Sequence, residues 1–186
     1  IGGLLGSMSH AKAQLVMDDC LNAGNLKVAY SVSVGSAIGR VGTPENHTAT
    51  ITNSYTTTES YEKAIGTSGG IIHGGVIQLS KSMLSDLSAY RFTELDFKTY
   101  WAVVKDDTPV LSKYAGTVPS VAGVEKAIDM NWYQADKTEY VIRNLKELYG
   151  FACMASATDF KGKTVKLAND ISVNAVDKAL LSAWKD

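Results

Sequence analysis

Residue types that build metal centres and disulfide frameworks are scarce in this chain, which has 2 cysteines, 3 histidines and 3 prolines among 186 residues. Two cysteines allow one bridge at most, so a disulfide-stapled scaffold is excluded, and a chain of this length can bury a core without one. Cys20 and Cys153 both fall inside apolar patterns, which favours two buried thiols over a disulfide between them. His10, His47 and His73 stand apart, and no Cys-x-x-Cys or His-x-x-x-His pair occurs. The Asp18-Asp19 and Asp106-Asp107 doublets lack the spaced oxygens of a calcium loop. No metal or other cofactor is expected. A formal net charge of -1 provides no bulk field for nucleic acid or an anionic membrane. No apolar run reaches the roughly 18 to 20 residues that a membrane-crossing helix needs.

What is present fits a globular chain, with 45% hydrophobic and 20% charged residues. The expected fold class is α+β: a single domain over 1–186, with a mainly antiparallel sheet packed by about four helices. Its centre is a hairpin near 93–116, where Leu95, Phe97, Trp101 and Val103 alternate with polar residues before the turn at Lys105 to Pro109. Leu26 to Val34 and Thr48 to Thr58 read as further strands, the second with Ala49, Ile51 and Tyr55 opposite a row of threonines. Helices are expected over about 9–23, from Ser80 or Ser82 to about Ala89, over 136–149, and from about Ser172 to the end. The 136–149 helix rests on the capping-box spacing of Asp136 and Glu139 and on Gly150 at its stop. A helical turn is expected over 124–129, a buried strand over 151–158, and a strand to about Leu167 after the Phe160 to Lys163 turn. No internal repeat is evident on this reading. The segment at about 1–8 reads as a flexible, glycine-rich arm, with Ile1, Leu4 and Leu5 as an assembly contact on a neighbouring copy.

Several stretches invite chemistry. Gly66 to Gly70 matches the G-x-S-x-G pattern of a nucleophile elbow around Ser68, but the only histidine after it is His73, five residues on, so no relay can follow in the usual order. Neither residue is expected to be catalytic. Gly35 to Gly42 has the glycines of a phosphate-cradling loop, yet it leads into a threonine-rich strand instead of a helix N-terminus, so a surface loop is expected. Lys161, Lys163 and Lys166 form a local basic patch that could touch phosphate or RNA, while lysines on an edge strand also block unwanted pairing. Asn46-His47-Thr48 is a glycosylation sequon, relevant in a secretory pathway.

The expected function is a non-enzymatic structural subunit that self-assembles, of virus coat, tube or extracellular filament type, with its own copies as partner. The alternatives are a secreted, proteolytically matured toxin that engages membranes through a hairpin formed by 48–58 and 64–79, and an enzyme with dispersed catalytic residues. An extracellular or virion-associated location goes with the first two. Nucleic acid enters as a partner only through the lysine patch.

Overall fold

Gly2 to Met8 (GGLLGSM) and Gly35 to Val41 (GSAIGRV) share two glycines and an apolar residue before the second, and Glu62 to Ser68 (EKAIGTS) has the same apolar-Gly pair at its centre. The computed structural model describes residues 1–10, 12–29, 33–43 and 47–173. Its strands and helices in chain order are β1 (Leu5–Met8), β2 (Gln14–Met17), β3 (Leu21–Asn22), β4 (Ile38–Val41), β5 (Thr48–Thr57), β6 (Ile65–Ser68), β7 (Ile71–Leu79), α1 (Asp86–Phe92), β8 (Trp101–Val104), β9 (Asp107–Leu111), β10 (Glu139–Ile142), α2 (Leu145–Ala157) and β11 (Thr164–Leu167). The chain divides into two compact units, Ile1–Lys81 and Ser82–Asp186.

In the first unit these stretches become stacked strands. The backbone winds as a coil, and each coil lays its strands parallel on those of the coil before. One sheet has the order β1-β4-β6, and in the other β5 lies between β2 and β3 on one side and β7 on the other. The register aligns Leu5, Ile38 and Ile65 in one column, and Leu15, Ala49 and Ile72 in another. Like residues therefore meet like residues across coils, which is the packing logic of a parallel β-solenoid. Between the sheets lies a core of Met8, Met17, Ile38, Val41, Ile51 and Val76. Bends within the coils need left-handed backbone: Asp19 (φ 53) and Asn53 (φ 42) occupy equivalent places, two residues past the paired Met17 and Ile51, and in β7 that role falls to Gly74 (φ 83). The Thr52 hydroxyl donates to Asp18 Oδ1 at 2.6 Å and ties neighbouring bends together.

The second unit contains the one antiparallel pair among the described residues, β8 with β9, joined by Lys105-Asp106 with Asp106 at φ 57. β10 and β11 pair in parallel, and α2 forms the crossover that such a pair requires. Asn144 caps α2 by accepting from the Glu147 amide at 3.0 Å, and Glu147 Oε2 accepts from the Arg143 amide at 2.7 Å. This is reciprocal capping of the capping-box kind, with the return bond displaced by one residue. Gly150 lies inside the helix because a Cβ there would stand 2.3 Å from the Asp129 carbonyl oxygen. Trp132 packs edge-on to Tyr140 and Phe151, with ring centroids 5.4 and 5.8 Å away.

This architecture overturns the expected mainly antiparallel sheet with about four helices. Two helices and eleven strands in mostly parallel sheets are present among the described residues. The stretch expected as a helix at 9–23 holds β2 and β3; its apolar residues at helical spacing are divided between strands that bury only Met17, with Leu15 and Leu21 partly covered. The helix expected over 136–149 is instead β10 followed by the start of α2, because the operative cap is Asn144 with Glu147 and not Asp136 with Glu139. The strand expected over 151–158 is accordingly the body of α2. Described residues between Leu26 and Val34 lie outside any strand, the expected loop at 35–42 contains β4, and 124–129 forms no helix. The five glycines of 64–79 are accommodated in β6, β7 and the bend between them. β5 and β11 lie where the sequence places strands, and the expected hairpin is present but shorter, over 101–111. The terminal helix expected from about Ser172 lies, beyond residues 172–173, outside the described residues.

Candidate functional site

A stack of coils has two ends, and the apolar columns of the first unit change in exposure towards each. Ile38, Val41, Ala49 and Ile51, in the middle coil, are fully buried. Of their counterparts, Leu5 and Leu15 in the first coil and Ile65 and Ile72 in the last are only partly covered, while Met8 and Met17 in the first coil are buried. Ile1 and Leu4, just before β1, are 49% and 43% exposed. On the outer face Val16 is 79% and Ile71 48% exposed. Beyond Ile71 the last coil closes again, with Val76, Ile77 and Leu79 buried. Apolar surface at the ends thus concentrates on β1 and β2 at one end, and on β6 and the first residues of β7 at the other.

The same strands have unpaired edges. Among the described residues, β1 pairs only with β4, β2 only with β5, β6 only with β4 and β7 only with β5. Thr48 donates its amide to the Ala13 carbonyl. Parallel-ladder alternation then turns the backbone groups of Leu15 and Met17 towards β5 and those of Gln14 and Val16 away from it. An edge of this kind is a template for a further strand.

Gly6, Gly39 and Gly66 follow Leu5, Ile38 and Ile65 and so form a column of their own. A Cβ on Gly39 would stand 2.3 Å from the Gly6 carbonyl oxygen, and one on Gly66 would stand 2.6 Å from that of Gly39. Each glycine therefore makes room for the backbone of the coil before it. At Gly6 the corresponding space is open, with no atom of the described residues within 4 Å. The shared apolar-Gly pair was the signal in the sequence that could have identified this column.

The residues expected to form an assembly arm are not a free tail. Leu5 lies in β1, the Leu4 and Leu5 amides both donate to Ala37 O, and the Ile1 backbone nitrogen donates to Ser33 O at 2.6 Å. Ile1, Leu4 and Leu5 nevertheless lie together beside the open coil end. Lys161, Lys163 and Lys166 do not converge. Lys163 Nζ donates to Ala135 O and to the Tyr140 hydroxyl, and lies 5.6 to 5.8 Å from the ring centres of Tyr133, Tyr140 and Phe160. Lys166 pairs with Glu139 at 3.4 Å, and Lys161 is exposed in the turn before β11. Cys20 and Cys153 are both free thiols. Burial raises the pKa of each, that of Cys153 to about 12.

Ser68 ends a strand that bends directly into another, so no elbow exists; its hydroxyl lies 3.4 Å from Gly70 O. His10 and His73 are exposed, and His47 is buried with Nδ1 3.2 Å from Thr43 O. No group of residues suited to a metal ion occurs among the described residues. No helix among them is long and apolar enough to cross a membrane.

The second unit has a cleft of about 430 Å³ lined in part by Tyr90, Glu94, Asp96, Phe97 and Lys126. Lys126 Nζ is 3.7 Å from Glu94 Oε2, donates to Thr93 O, and stands 4.5 Å from the centre of the Tyr90 ring. Burial raises the pKa of Glu94 and lowers that of Lys126, so for each residue desolvation outweighs the attraction of its partner. The Ala127 amide donates to Arg91 O, which joins the same two segments. The ion pair acts as a clasp between them. No protein-family model, curated protein or solved structure matches the chain.

Proposed function

We propose that this chain is a non-enzymatic structural subunit that self-assembles, in the manner of an extracellular filament or a viral tube. The observation that carries this reading is the open coil: parallel strands whose edges are unpaired among the described residues, and partly covered apolar residues, at both ends of one compact unit. Partly covered Leu5, Leu15, Ile65 and Ile72 each gain from burial, by roughly 1.5 to 3 kcal/mol for a fully exposed side chain of this size and proportionately less here. Strand edges add directional hydrogen bonds, which give such an association a defined geometry. A net charge of -1 adds little repulsion between copies.

The test is light scattering of the purified chain from dilute to concentrated solution, with electron microscopy of the concentrated sample. The expected result is a mass that rises with concentration and elongated particles. A single monomeric mass throughout would reject the reading.

A further inference from the structure

Resting on the self-assembly reading, we infer that copies join head to tail, with β1 and β2 of one copy pairing with β6 and the first residues of β7 of the copy before it. The partner is a second copy of this chain because its tail presents the surface that the head already fits. The β1 edge would meet the outer edge of β6 as β4 meets β1 and β6 meets β4 within the chain, in the same parallel direction and with Leu5 continuing the Ile65 column. On the other sheet Leu15 would follow Ile72, as Ala49 follows Leu15.

The glycine column sets the polarity. Gly39 receives the carbonyl of Gly6, and Gly66 receives that of Gly39, so each glycine accommodates the coil preceding it. Gly6 has the same space with none of the described residues in it. In a head-to-tail contact the Gly66 carbonyl of the preceding copy fills that space. Two heads meeting about a twofold axis would pair β1 with β1 antiparallel and would break every column. A heterologous contact of this kind leaves a free head and a free tail after each addition, so the product is an open filament unless the rotation closes a ring.

Two variants test the contact. Gly6→Val places a side chain where the described residues of the single chain leave nothing within 4 Å, on a residue whose φ is outside the left-handed region. The expected result is an unchanged circular-dichroism spectrum and melting temperature with loss of the assembled fraction. The second variant combines Ser7→Cys and Thr67→Cys in a Cys20→Ser background. Within one chain Ser7 and Thr67 both pair with Arg40 from opposite sides, so they lie two strand spacings apart, roughly 9.5 Å, too far for a disulfide. Across the inferred contact they become direct neighbours at roughly 4.8 Å, within disulfide reach. Mild oxidation should then give a ladder of covalent multimers that neither single cysteine variant gives. If the wild type assembles while Gly6→Val assembles equally well and the cysteine pair stays monomeric, the head-to-tail contact is overturned and self-assembly stands. If the wild type never assembles, both fall. Should Gly6→Val melt early, the cysteine pair alone decides.

Discussion

At Gly74 the backbone has a φ of 83°, and a Cβ there would stand 2.0 Å from the Ile51 carbonyl oxygen of the coil before. Both the left-handed conformation and the close approach act against any side chain. Gly74→Ala is expected to cost at least the roughly 1 to 3 kcal/mol typical of a strained backbone position. Denaturant melts followed by circular dichroism check this, and a change below about 0.5 kcal/mol, the range of neutral surface substitutions, would show that the bend can relax. Cys153 permits a prediction about pH. Its thiol has an ordinary pKa of 9.0 and burial raises this to about 12 in the folded chain. A raised pKa means that the folded form keeps a proton which the unfolded form releases. Its contribution is intact below about 9 and is lost as pH rises towards 12. Wild type should therefore lose more stability than Cys153→Ala between these limits in parallel denaturant titrations. The native thiol should also resist aromatic disulfide reagents near neutral pH until the unit unfolds, and fast labelling there would show that the site opens locally.

Among the elements, α2 depends on a cap that short-range spacing placed eight residues too early. Asp136-x-x-Glu139 and Asn144-x-x-Glu147 have the same spacing, but the second precedes a stretch in which Gly150 lets the helix approach the Asp129 backbone, while the first precedes β10. Asn144→Ala should destabilise the second unit by about 1 kcal/mol, the usual worth of an N-cap. Asp136→Ala should leave its stability nearly unchanged, and the reverse order in thermal melts would contradict this assignment of the cap. β5 was legible because ten residues give alternation room to show: Ala49, Ile51 and Tyr55 are buried, while Thr50 and Thr52 are exposed. β1, β2, β4 and β6 have four residues each, too few for a period of two to stand out. Their order is recorded instead in the glycines that GGLLGSM and GSAIGRV share, which a search for strict periodicity misses because successive coils differ in length. Leu5 is 33 residues from its partner Ile38, and Ile38 is 27 from Ile65. The candidate site was legible only in part. Ile1, Leu4 and Leu5 stood out as exposed apolar residues, but their partners on β2, β6 and β7 required the coil to bring them together.

For the whole molecule, two compact units imply two bodies that can be destabilised separately. Trp101, Trp132 and Trp184 all follow Ser82 in the sequence, so tryptophan fluorescence reports only on the second unit. Ile51 is fully buried in the coil, and Ile51→Ala should cost about 2 to 5 kcal/mol there. The circular-dichroism transition of the coil should shift to lower denaturant while the fluorescence transition stays in place. Equal shifts in both would show that the units unfold as one cooperative body. The coil also bears on how quickly the first unit can form. Every ladder in it joins residues 22 to 34 positions apart, and no strand finds its partner across a tight turn. Loop closure must therefore come before any ladder bond forms, and the high contact order that results slows folding relative to a hairpin-built sheet of equal size. The first pair of coils to meet is the costly event. After it, each new coil lands on an edge already in place, so the chain should fold by nucleation and then growth along the axis of the coil.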